Sequence, residues 1–130
     1  MRLYRPRRIA IADDSPAFVA AAAGYVAALP GYVLAGTAET AAHAVALVLS
    51  AVPDILLLDL GVAPARGLEV LRRVKALPAS PAVVAMTLFH SPEAAAAAIR
   101  AGALALVGKD AFVSGLTDIL AGLSAAEIAA

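Results

Sequence analysis

Five short apolar runs, each followed by a segment with helical spacing, constrain this chain more than any other feature. The clearest is Ile55-Leu56-Leu57-Leu58-Asp59, where four large aliphatic residues follow one another with no polar alternation. A strand with one wet face alternates, so a continuous run of this kind calls for a strand covered on both faces. The other runs are Arg8 to Ala12, Tyr32 to Gly36, Val83 to Met86 and Ala103 to Val107. Strands and helices that alternate five times imply βαβ units, hence an α/β fold with a doubly wound, five-stranded parallel sheet.

The intervening segments carry helix signals. Ser15-Pro16 places a hydroxyl at an N-cap and proline at N1, and Phe18, Val19, Ala22, Tyr25, Val26 and Leu29 follow before Pro30-Gly31 ends the helix. Thr40 to Ser50 predicts a second helix with Ala41, Val45, Val48 and Leu49 available for burial. Gly61 to Gly67 reads as a loop, and Leu68 to Leu77 as the third helix. Ser91-Pro92-Glu93 opens a fourth, which ends near Gly102, and a fifth begins near Ala111 and runs through Phe112, Leu116, Ile119, Leu120 and Leu123.

With 130 residues the chain suits one domain. Ten basic and ten acidic residues balance, giving no general argument for nucleic-acid or anionic-membrane binding. Arg2, Arg5, Arg7 and Arg8 cluster before the first strand and read as a solvated N-terminus. With no cysteine, disulfides, thiolate metal sites and cysteine nucleophiles are excluded, which suits a cytoplasmic protein. Asp13 and Asp14 interrupt the apolar run after the basic start, which argues against a signal peptide. The longest uncharged stretch is mostly alanine and is broken by Pro30-Gly31, so it makes a poor membrane span.

Chemistry concentrates at the strand ends. Asp13 and Asp14 follow the first strand, Asp59 ends the third, Thr87 the fourth, and Lys109 follows the fifth. In a parallel sheet all of them converge on the C-terminal edge, where ligands bind near the reversal of strand order. Three carboxylates held together need compensation, and a hard divalent cation such as Mg²⁺ suits a sparse oxygen site completed by water and a phosphate oxygen. Lys109 adds positive charge, and Thr87 offers a hydroxyl to a phosphate oxygen. In such a pocket an ionised Asp59 can act as nucleophile and become an acyl phosphate, with no general base needed. A lone aspartate at a strand end more often caps a helix or turn, and a lone lysine there is usually solvated. The joint occurrence at successive strand ends is what favours a site.

These pieces resemble the receiver (CheY-like) domain of bacterial two-component response regulators: Ile11-Ala12-Asp13-Asp14-Ser15, Ile55 to Leu60, Thr87, and Gly102-Ala103 leading to Lys109-Asp110. The separations of 28 residues from Asp59 to Thr87 and 50 from Asp59 to Lys109 are also similar. The resemblance implies strand order 2-1-3-4-5 and a receiver over residues 7–123, with a basic extension at 1–6 and a tail or linker start at 124–130. It further implies that Asp59 accepts a phosphoryl group from a sensor histidine kinase or phosphotransfer protein. Asp14, Asp59 and the Gly61 backbone carbonyl would hold Mg²⁺, with Asp13 acting mainly through water. Thr87 and Lys109 would contact the phosphoryl group, and the face made by the fourth helix, fifth strand and fifth helix would dimerise or dock a partner.

Several positions depart from the family pattern. Ala63 stands where proline is usual, with Pro64 next, whereas Gly67 matches a usual glycine. Leu88 replaces a common alanine and is expected to narrow access for small phosphodonors; Leu106 replaces the switch aromatic, leaving only its own repacking as a relay. Lys109-Asp110 resembles the subgroup fused to a helix-turn-helix domain, through which any DNA contact would be made. Two other readings are a degenerate receiver acting as a phosphorylation-independent interaction module, and an enzyme such as a small-substrate phosphatase or a flavodoxin-like redox protein. The enzyme reading is disfavoured because no glycine-rich phosphate loop follows the first strand, and the acidic first loop repels anions unless metal is present.

Overall fold

The computed structural model describes residues 5–129, with side chains described through Leu123. Most of the expected 1–6 extension and the last residue of the 124–130 tail lie outside the described residues. The elements are β1 (Arg7–Ala12), α1 (Pro16–Ala28), β2 (Tyr32–Ala38), α2 (Ala41–Ala51), β3 (Ile55–Asp59), α3 (Pro64–Lys75), β4 (Ala82–Thr87), α4 (Pro92–Arg100), β5 (Ala105–Gly108) and α5 (Phe112–Ala129), with one 3₁₀ turn at Lys109–Ala111 before α5. All strand pairs are parallel, in the order β2-β1-β3-β4-β5. This is the doubly wound sheet that the alternation predicts.

Successive residues of each strand point to opposite faces, and both faces are covered. Ala10, Leu56, Leu58, Val83 and Ala85 pack on one side with Val48 of α2, Leu71 and Val74 of α3 and Ala98 of α4. Ile9, Ile11, Leu57, Val84 and Met86 pack on the other with Val26 of α1 and Phe112, Leu116 and Leu120 of α5. The unbroken Ile55–Leu58 run is thus explained, since its members alternate between two separate cores. Chain order reverses at β1, which lies between β2 and β3, so the C-terminal ends of β1 and β3 border the crevice where such folds bind ligands.

Helix starts follow the capping signals. Ser15, Thr40 and Ser91 accept hydrogen bonds from the amides of Phe18, His43 and Ala94 at 3.3, 3.1 and 3.0 Å. One expectation is corrected: α3 begins at Pro64, inside the segment read as a loop. Its first turn, through Arg66, is exposed, so no buried periodicity announced it before Leu68. Gly67 sits in that helix against Leu60, where an added Cβ would lie 2.3 Å from the Leu60 carbonyl oxygen. A second difference concerns the last helix, which continues beyond Leu123 through the segment read as a tail.

The arginine cluster also departs from a purely solvated reading. The Arg8 guanidinium donates to the carbonyl oxygens of Ala51 and Val52, capping the C-terminus of α2. Its backbone N–H donates to Asp54 Oδ2 at 2.8 Å, and the Asp54 amide donates back to the Arg8 carbonyl at 2.9 Å. This knot fastens the N-terminal end of the sheet, opposite the acidic edge. Among the described residues, no helix is long and apolar enough to cross a membrane.

Candidate functional site

The turn after β1 is built around Asp13. Its amide donates to the Ala38 carbonyl of β2 at 2.9 Å, and its Oδ1 accepts from the Ser15 amide at 2.8 Å. That second bond shapes the turn that starts α1, leaving Oδ2 aimed at the sheet edge. Lys109, immediately after β5, brings its Nζ to 2.7 Å from Asp13 Oδ2 and 3.2 Å from Asp59 Oδ1. One ammonium therefore joins the ends of three strands. Asp14 is exposed beside them, and Asp13, Asp14 and Asp59 each offer an oxygen within 4.8 Å of the others. Hard oxygen donors at this spacing fit a divalent cation such as Mg²⁺.

Burial pushes the Asp59 carboxyl above the usual carboxylate range, and the Asp13 charge adds to the effect; the Gly61 N–H and the Lys109 ammonium oppose it without cancelling it. Burial alone would lower the Lys109 pKa, but its pairing with Asp13 and Asp59 prevails and holds it above the ordinary lysine value. Three carboxyl groups thus share one ammonium.

Two clefts meet at these carboxylates. One, of about 170 Å³, is lined by Asp13, Asp14, Asp59 and Gly61 together with Glu39 and Arg66. The other, of about 420 Å³, is lined by Asp14, Asp59, Gly61 and Lys109 together with Phe18 and Leu88. Gly61 has φ +76°, a left-handed conformation that suits glycine, and its N–H hydrogen-bonds to the Asp59 side chain.

The five strand-end positions are not equally engaged. Asp13, Asp14, Asp59 and Lys109 come together. Thr87 is buried at the end of β4, but its Oγ1 accepts the Phe89 amide at 3.2 Å within its own loop. Leu88 stands 62% exposed and lines the larger cleft. Leu106 is buried among the residues packed with α2, α3 and α4 and lines a groove with His90 and Ile119. One neighbour escaped the sequence reading: the Lys109 ammonium lies 4.6 Å from the centroid of the Phe18 ring. Phe18 looked like an ordinary core residue of α1, and the only hint of more was its place one turn after Asp13-Asp14.

The strand order and the acidic crevice at the reversal point define a CheY-like α/β protein of the flavodoxin type. Residues 9–121 match the response regulator receiver domain, and the chain belongs to that family, the receiver domains of two-component response regulators. A Pseudomonas aeruginosa protein named as a transcriptional regulator is 30% identical over 102 residues, which make up 78% of this chain and 49% of that protein. The chain therefore spans about half the length of that curated relative. A LuxR-family two-component response regulator from Aurantimonas sp. SI85-9A1 superposes with TM-score 0.77 at 26% identity, covering 91% of this chain and 87% of that one. The signal receiver domain of the Mycobacterium tuberculosis response regulator NarL shares the fold, with TM-score 0.78 at 23% identity over 91% of this chain and 98% of that one.

Proposed function

We propose that this domain, over residues 7–123, is a phosphorylatable signalling switch with Asp59 as the phosphoacceptor. The observation that carries the reading is the Lys109 ammonium, held between Asp13 and Asp59 at the mouth of an acidic cleft. The domain is read as a signalling module of the cytoplasm and not as an enzyme. Its donor is a sensor histidine kinase or phosphotransfer protein.

In the transfer, an Asp59 carboxylate oxygen forms a bond to phosphorus as the donor's N–P bond breaks, and the departing imidazole nitrogen keeps the electron pair. Asp14, Asp59 and the Gly61 carbonyl would hold Mg²⁺, with Asp13 acting mainly through water, and the ion would supply positive charge to the phosphoryl oxygens. Lys109 already stands at the Asp59 side chain and pairs with the acyl phosphate that forms. The Thr87 hydroxyl, whose oxygen accepts the Phe89 amide, donates its own proton to a phosphoryl oxygen and shifts toward it, which gives the β4–α4 loop two states. Leu106 repacks in place of an aromatic switch, and Leu88 on the cleft rim filters small donors. Output passes through the α4–β5–α5 face to a second copy or a partner, with DNA contacted through a separate output domain.

The test is intact mass after incubation with acetyl phosphate and Mg²⁺, repeated with a histidine kinase. A gain of about 80 Da in wild type that is absent in Asp59→Asn is expected. A gain unchanged in that variant, or none with either donor, would overturn the assignment; the second outcome would favour a phosphorylation-independent module.

A further inference from the structure

Lys109 is held on three sides, and only two of them are carboxylates. The third is the Phe18 ring, whose centroid lies 4.6 Å from Nζ, within the range where an ammonium is drawn to the negative face of an aromatic ring. We infer that Phe18 is a positioning residue for Lys109, keeping its ammonium at the junction of Asp13 and Asp59 before any phosphoryl group arrives. The inference rests on the phosphoacceptor reading of Asp59.

Several observations make Phe18 more than a passing neighbour. It lines the same cleft as Asp59 and Lys109. Its backbone is fixed by the turn that fixes Asp13: Asp13 Oδ1 accepts the Ser15 amide at 2.8 Å, and Ser15 Oγ accepts the Phe18 amide at 3.3 Å. One hydrogen-bonded turn thereby sets both the carboxylate and the ring that flank the ammonium. The ring is also braced from behind. Phe112, at the start of α5, meets it edge-on with centroids 5.3 Å apart, and Tyr25 meets Phe112 edge-on at 5.7 Å. The Tyr25 hydroxyl is hydrogen-bonded to Thr117 of α5, so the stack is anchored at its far end.

A lysine stem is long and flexible, and an unheld ammonium must lose that freedom in the transfer step itself. A ring that holds it beforehand places positive charge where it develops partners, with no reorganisation at the moment of reaction. The Lys109 side chain is only 10% exposed, so the ring acts in a partly desolvated setting, where such contacts are strongest.

Phe18→Leu keeps an apolar side chain but removes the ring face, whereas Phe18→Tyr keeps the ring. In wild type the Lys109 ε-methylene protons should be shifted upfield by the ring current, in Phe18→Tyr as well, and in Phe18→Leu not at all. Phosphoryl uptake at saturating acetyl phosphate should fall roughly three- to thirtyfold in Phe18→Leu and recover in Phe18→Tyr, with Mg²⁺ affinity retained in both. Measurable but equal uptake in wild type and Phe18→Leu, or unshifted ε-protons in wild type, would overturn the inference. Should wild type accept no phosphoryl group from acetyl phosphate or from a histidine kinase while its ε-protons remain shifted, the phosphoacceptor reading fails and the placement of Lys109 by Phe18 stands. If Phe18→Leu does not fold, the wild-type shift and its survival in Phe18→Tyr decide the matter.

Discussion

Asp59 is held in two opposed ways. Lys109 and the Gly61 amide favour its ionised form, while burial and the neighbouring Asp13 disfavour it, and the second pair prevails. Folding therefore favours protonated Asp59. The stability this contributes is present below the ordinary value of 3.8 and is lost as pH rises through the higher folded-state value. Asp59→Asn stays neutral throughout. In metal-free protein it should gain stability over wild type as pH rises from the acid range toward neutrality, and the two should converge at low pH. Urea unfolding in EDTA across that range checks this, and a wild type at least as stable at neutral pH would contradict it. Lys109 follows the same sign on the alkaline side: its contribution is complete below 10.5 and is lost as pH rises through the raised folded-state value. Asp14 is exposed, so Asp14→Asn should leave folding nearly unchanged and weaken Mg²⁺ binding roughly tenfold or more, as read by calorimetry. The charged members of this cluster were legible in the sequence because each is a polar residue beside an apolar run. The Phe18 contact was not, because a phenylalanine at a core-facing helix position needs no further explanation.

At the level of elements, the β3–α3 connection decides where Asp59 points. The first turn of α3 lies against the Leu60 backbone, which only a residue without a side chain permits at position 67. Because the obstructing atoms are backbone, Gly67→Ala cannot be relieved by a rotamer change. It should cost about 1–3 kcal/mol in urea unfolding and also weaken Mg²⁺ binding, since the loop bearing Gly61 must move. Val52 offers the reverse case. It ends α2 in a left-handed conformation with φ 44°, which is costly for a β-branched residue, and its side chain is half exposed. Val52→Gly should therefore raise stability by about 0.5–1 kcal/mol, the relief of strain exceeding the glycine's added entropy in the unfolded chain. Strands and capped helix starts were visible beforehand because burial and hydroxyl caps both leave sequence signals. The start of α3 was hidden because Ala63 lacks a capping side chain and the first turn buries nothing until Gly67, which read as a loop residue.

Across the whole molecule, the sheet keeps the knot that fastens the chain at the edge opposite the acidic cluster. At its N-terminal edge the Arg8 guanidinium caps α2 while the Arg8 backbone pairs with Asp54; at its C-terminal edge the carboxylates repel one another around Lys109. Five residues of extended strand separate Arg8 from Asp13, about 16 Å at strand rise. That separation was implicit in the alternation of strands and helices, which puts every strand end on one edge. The knot at the other edge was not, because a cap depends on where a distant helix happens to end. Groups this far apart with no shared partner act nearly additively. Arg8→Met should lower stability by about 1–2 kcal/mol, through lost charged hydrogen bonds and the uncompensated end of α2. Mg²⁺ at ten times its Kd should add about 1.4 kcal/mol to wild type and the same to Arg8→Met, but far less to Asp14→Asn at that concentration. Urea titrations of the three proteins with and without Mg²⁺ read both quantities. An Arg8→Met protein whose Mg²⁺ increment fell with its stability would mean that the two edges are coupled through the strands, and the division of labour across the sheet would be wrong.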